Sequence, residues 1–140
     1  MAIKNQPDLM LWVMRKFSTY YGARAVLRGG VALSLLSSPR HTNDIDYLLL
    51  QYKSKKSPVS EICTLLDELP ELKYSYQLNS KNLRFLLNYN KIKIQVEIQV
   101  EEDCDSVPIA TSNLTSKAGQ TGFIVNIVSL ESALASKIAA

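Results

Sequence analysis

The sequence predicts an α+β, α/β-like domain in which a mixed β-sheet is flanked by helices. Three observations carry that expectation. Residues 91–100 alternate polar and apolar with strict period two, the pattern of a half-buried strand. A short apolar segment at 23–27 runs into Gly29-Gly30 and then into the apolar stretch 31–36, which reads as strand, glycine turn and helix. An amphipathic helical stripe opens the chain.

That first helix follows Pro7, with Asp8 placed to cap it, and Met10, Val13, Phe17 and Tyr20 recur at spacings of three and four. Gly22 ends it. After the strand–turn–helix unit, Ser37-Ser38-Pro39 stops the second helix, and 43–50 reads as a strand that alternates acidic and apolar residues before becoming continuously apolar. Lys53 to Lys56 is a basic connector. Ser57-Pro58 then starts a helix, with the serine as its cap, whose buried stripe is Val59, Ile62, Leu65 and Leu66, closed by Pro70. Three extended segments follow, 72–78, 83–89 and 91–100, joined by polar turns at Asn79-Ser80-Lys81-Asn82 and Asn90. Residues 102–117 read as a loop because they are polar and contain Pro108. Residues 122–128 form a final strand, and Ser129 caps a closing helix with Leu130, Leu134 and Ile138 on one stripe.

The chain has 140 residues, 46% hydrophobic and 21% charged, which predicts one domain with a sizeable core. Apolar runs are far shorter than the ~18 residues of a membrane span, and Asp8 interrupts the place of a signal peptide, so a cytoplasmic protein without membrane contact is expected. Cys63 and Cys104 have no metal-ligand spacing, and with a single histidine a zinc site is hard to assemble. A net charge of +3 permits a polyanionic ligand without selecting one.

Three features converge on chemistry. Gly29-Gly30 lies at a strand-to-helix turn, where missing side chains let backbone N–H groups approach phosphate oxygens. Asp44 and Asp46, two apart on a strand, place their carboxylates on one face, and a divalent cation is the natural partner of such a pair. Glu97, mid-strand, completes a carboxylate set if its strand neighbours that of the aspartates, or takes a proton from an attacking hydroxyl. Each also has an ordinary reading: a structural turn, a solvated strand end, and one member of a wet strand face running from Lys91 to Glu101.

Leu27-Arg28-Gly29-Gly30-Val31-Ala32-Leu33, followed by Arg40-His41-Thr42-Asn43-Asp44-Ile45-Asp46, resembles the signature of the nucleotidyltransferase-fold superfamily, the polymerase-beta-like enzymes. The Arg-x-Thr-x-Asp-Ile-Asp form is most similar to the AbiEii/AbiGii toxin-like branch, as are residues 93–98 around Glu97 and residues 127–131 with Lys137 beyond them. The resemblance covers roughly residues 24–139 and implies a nucleotidyltransferase fold. It implies Asp44, Asp46 and Glu97 as metal-binding and catalytic acids for two Mg2+ ions. Gly29, Gly30, Arg40, Thr42 and Lys137 are implied on the nucleotide side. Gly30 stands where a serine is common and Glu97 where aspartate is usual. The implied activity is transfer of a nucleoside monophosphate from a nucleoside triphosphate to an acceptor hydroxyl, carried by RNA or tRNA or by a protein, with an antitoxin protein as a further partner. The alternative is a catalytically degenerate module of the same fold that binds nucleotide or a partner protein. Members usually add a C-terminal helical part, which residues 1–140 are expected to lack.

Overall fold

A computed structural model of the protein describes residues 3–29, 44–52, 54, 56–80, 82–102, 104–116 and 119–128. Its strands are β1 (Ala25–Arg28), β2 (Asp44–Leu50), β3 (Lys73–Leu78), β4 (Leu83–Tyr89), β5 (Ile92–Glu101), β6 (Ser106–Ala110) and β7 (Ile124–Val128). They form one seven-stranded sheet in the order β3-β4-β5-β2-β1-β7-β6. The β2–β5 and β1–β7 pairs are parallel and the others antiparallel, so the sheet is mixed as expected. The described α-helices are α1 (Gln6–Tyr21), α2 (Val59–Leu66) and the single turn α3 (Ser112–Thr115), and a 3-10 turn, Gly22–Arg24, links α1 to β1, so the strand expected from residue 23 starts at Ala25. None is long and apolar enough to cross a membrane. The apolar stretch 31–36 and the closing helix from Ser129 lie outside the described residues.

Helix α1 begins earlier than Asp8 alone would place it. Asn5 is the cap, its side-chain oxygen accepting the Asp8 N–H at 2.9 Å, while Asp8 Oδ2 accepts the Lys4 N–H at 2.9 Å. The two side chains satisfy N-terminal donors reciprocally, much as a capping box does. Met10, Val13 and Phe17 are buried, but Tyr20 is 49% exposed and Tyr21 takes the core position, because a step of four from Phe17 stays on the covered face. Gly22, at φ 58, closes the helix in a conformation that other residues rarely adopt.

Alternation along the strands divides the sheet into two faces. Leu27, Ile45, Tyr47, Leu49, Phe85, Val96, Ile98 and Ile127 point to one side, where α1 and α2 complete the main core. Phe17 stacks on Tyr47 with ring centroids 4.6 Å apart, joining helix to central strand. On the other face Val26, Leu48, Leu50 and Val128 make a smaller apolar cluster beside a polar region. The β4–β5 hairpin turns through Asn90 and Lys91, at φ 47 and 70, so Lys91 belongs to the turn and not the strand. Two positive-φ residues between paired Tyr89 and Ile92 make the tight turn that matches strand twist and fixes register.

Two further elements differ from expectation. Residues 102–117 are not simply a loop: β6 pairs with β7 at the sheet edge, with Pro108 opposite Asn126. An edge strand tolerates proline because one of its sides needs no ladder donor. Helix α2 begins at Val59 with Pro58 as the boundary residue, and no side chain caps it, so Ser57 is not the cap. Phe17→Ala is expected to cost ~3–5 kcal/mol of stability, the range for truncating a fully buried aromatic, measured by urea unfolding.

Candidate active site

Strand register assembles the site. Parallel pairing of β2 with β5 sets Asp46 opposite Glu97. On the flanks, β1 places Arg28 opposite Asp46, and β4 places Arg84 opposite Glu97. Residues directly opposite one another share a face, so Arg28, Asp46, Glu97 and Arg84 form one row across four adjacent strands. Its charge order is plus, minus, minus, plus. The residues between them in sequence, such as Leu27, Ile45, Val96 and Phe85, are buried on the opposite side and hold the row in place.

The two carboxylates lie side by side under partial burial. Asp46 is pushed up to about 6, first by burial and then by the charge and hydrogen bonding of Glu97, with Asp44 adding a little and Arg28 opposing. Glu97 Oε1 accepts Arg84 Nη2 at 2.9 Å and Gln95 Nε2 at 3.0 Å. Gly29, directly after β1, has φ 74, and a Cβ built there would lie 2.7 Å from Asp46 Oδ2. The missing side chain of Gly29 therefore makes room for the Asp46 carboxylate itself.

Asp44 is the first residue of β2, exposed, on the same side as Asp46 and opposite Gln95. Ile45 between them is fully buried. Gly30, Arg40, His41, Thr42 and Lys137 lie outside the described residues. Lys53, Lys55, Lys56, Lys81 and Arg84 are the basic residues from which an RNA-binding face would be drawn; Lys56 is exposed, Arg84 lies in the charged row, and Lys53, Lys55 and Lys81 are outside the described residues. From the sequence Arg84 is a candidate only for a basic surface, and Arg28 and Gln95 carry no signal of a role beside the acids. The signal available for Arg84 was its phase, a cation alternating with Leu83, Phe85 and Leu87.

Among the described residues no group of three or more His, Cys, Asp or Glu side chains is close enough to hold a metal ion. The adjacent pair of Asp46 and Glu97 nevertheless suits a hard divalent cation. Magnesium takes oxygen donors and commonly one or two carboxylates together with substrate phosphates, and a positive ion would offset the burial and the Glu97 charge that together raise Asp46.

Residues 14–140 match the family of nucleotidyl transferase AbiEii toxins of type IV toxin–antitoxin systems. No curated protein matches the sequence significantly. In three dimensions the chain is similar to JHP933 from Helicobacter pylori, with a TM-score of 0.59 and 13% identity over 99% of this chain and 59% of that one. It is also similar to TM1012 from Thermotoga maritima, assigned to the nucleotidyltransferases, with a TM-score of 0.51 and 16% identity over 97% of this chain and 86% of that one. At such identities the likeness is one of fold, and the chain spans 59% of the length of JHP933.

Below pH 3.8 Asp46 is protonated in both folded and unfolded states, whereas above about 6 the folded state carries a charge that the unfolded chain solvates better. Its burial therefore lowers stability as pH rises through that window. In a chelator, Asp46→Asn is expected to melt higher than wild type at pH 7.5, with the difference vanishing near pH ~4. Thermal melts across that range check the sign. Gly29→Ala is expected to lose more than ~1 kcal/mol, from positive φ and from crowding against Asp46, measured by the same melts at fixed pH.

Proposed function

The chain belongs to the nucleotidyl transferase AbiEii toxin family, and on that premise we propose that it is a magnesium-dependent nucleotidyltransferase acting on a nucleoside triphosphate. The observation that carries the reading is the cross-strand apposition of Asp46 and Glu97 beside Gly29. Such a pair is costly to bury and useful at a phosphoryl centre. In the proposed reaction an acceptor oxygen bonds to the α-phosphorus and the bond to the β-phosphate bridging oxygen breaks. Pyrophosphate leaves, and the acceptor proton passes to a carboxylate of the site or to solvent.

Asp46 and Glu97, with Asp44 at the strand entrance, would hold magnesium, which when bound supplies charge neutralisation for the triphosphate and a lowered pKa for the attacking hydroxyl. Gly29 and Gly30 offer backbone to the β- and γ-phosphates, with Arg40, Thr42 and Lys137 proposed on the nucleotide side. Arg28, next to Gly29 and opposite Asp46, balances the acid there and leaves a cation close to the phosphate turn. Lys73 and Lys93 share the site's face, both opposite Asn88, and line an open depression of about 440 Å³ with Ser75 and Leu86. Lys73 and Lys93 offer two cations to a polyanionic acceptor such as RNA or tRNA, with a protein hydroxyl as the other acceptor class. The type IV toxin–antitoxin family supports an antitoxin protein as the regulatory partner.

Incubating the protein with total tRNA, each radiolabelled triphosphate and magnesium tests the reading. Label is expected to enter tRNA, and Asp46→Asn is expected to lower the rate by ~10²–10³-fold, the loss that follows removal of one charge-stabilising group. Nucleotide binding by calorimetry with no transfer to any acceptor would instead make the protein a binding module of the same fold.

A further inference from the structure

The row of four charged side chains contains a residue whose position serves its neighbour. Arg84 sits on β4 directly opposite Glu97 and donates from Nη2 to Glu97 Oε1 at 2.9 Å, while Gln95, on Glu97's own strand, donates to the same oxygen at 3.0 Å. Two donors from two strands thus converge on one carboxylate oxygen. The second oxygen is not needed to hold the side chain, and Asp46 lies directly on the other flank. We infer that Arg84, assisted by Gln95, is a positioning residue that fixes the Glu97 carboxylate beside Asp46 so that the acid pair is pre-formed for a divalent cation. The inference rests on the proposed role of those acids.

A cross-strand ion pair at a half-exposed site is by itself weak evidence, since many contribute little to stability. Three further facts separate this one from a surface pair. Arg84 Nε is buried and has no hydrogen-bond partner among the described residues, a burden on stability that a merely decorative arginine would not carry. The Glu97 side chain is only 25% exposed, so its carboxylate has given up much of its water in favour of these donors. Glu97 also carries one more methylene than an aspartate, and its extra rotamer freedom makes outside bracing useful, as the groups behind metal-binding carboxylates commonly provide.

Removing Arg84 has two opposed effects on a cation. Loss of a nearby positive charge favours binding, and loss of the brace disfavours it. Salt separates them, because charge repulsion fades as the screening length falls from ~8 Å at 0.15 M to ~3 Å at 1 M ionic strength, whereas a positioning effect persists.

The experiment is calorimetric titration of the whole chain with Mn2+ alone, then Mg2+ alone, at both ionic strengths, for wild type, Asp46→Asn, Arg84→Ala, Arg84→Lys and Gln95→Ala. Arg84→Ala is expected to weaken cation affinity by ~10–100-fold at both salt concentrations. Arg84→Lys, which keeps the charge without the planar fork, is expected to weaken it less, with Gln95→Ala weakening it in the same direction. Arg84→Ala binding as tightly as wild type, or more tightly, overturns the inference. If that variant lacks a cooperative melt, Gln95→Ala decides: unchanged affinity there overturns it equally. Wild type and Asp46→Asn behaving alike would remove the cation site itself, and this inference with it. Asp46→Asn weaker than wild type with every Arg84 and Gln95 variant unchanged would remove this inference alone.

Discussion

Two carboxylates held opposite one another on neighbouring parallel strands are the constraint around which this structure is arranged. Burial first, and repulsion from Glu97 at its side second, push Asp46 up to about 6, which expresses the cost of the arrangement. The fold contains the cost with charge and with rigidity. Arg28 and Arg84 stand at the ends of the row, so that each acid has an arginine on its outer side. Beneath, Ile45, Val96, Ile98 and Phe85 are packed in the main core, so the strands cannot slide apart to relieve the repulsion.

Register is the means by which distant stretches of chain reach this arrangement. A one-residue slip of β5 against β2 would send Glu97 into the core and Ile98 to the polar face. The Asn90-Lys91 turn sets β4 against β5, and the stacking of Phe17 on Tyr47 ties α1 to the middle of the sheet. Gly29 serves the same end from the other side, since any side chain there would press on Asp46 Oδ2. The glycine beside the acids is thus explained by the acids before any nucleotide is considered, and the open backbone that a phosphate would use follows from the same missing atom.

Much of this was legible in the sequence. The period-two run at 91–100 gave a strand whose apolar phase, Ile92 to Val100, faces the core, and Asp44-Ile45-Asp46 gave two acids around a buried residue. Failures came where a local signal was outweighed by position in the fold. Pro108 argued against a strand, yet β6 is at an edge where proline costs nothing. Asp8 had the chemistry of a cap, but Asn5 stood three residues earlier and took the role. Tyr20 had acceptable spacing, and only the direction from which the sheet covers α1 selects Tyr21 instead.

The sequence by itself determined the local periods: the interior strands such as β2, β4 and β5, which of their residues face water, and that a glycine precedes a pair of acids. Those follow from nearest neighbours along the chain, because side-chain alternation and turn chemistry act over a few residues. Which strands lie next to one another was decided only by the tertiary structure. Glu97 follows Asp46 by half a hundred positions, and no periodicity links them. Their apposition, and the arginines on either flank, come from pairing and register across the sheet, which depend on how the whole core closes over α1.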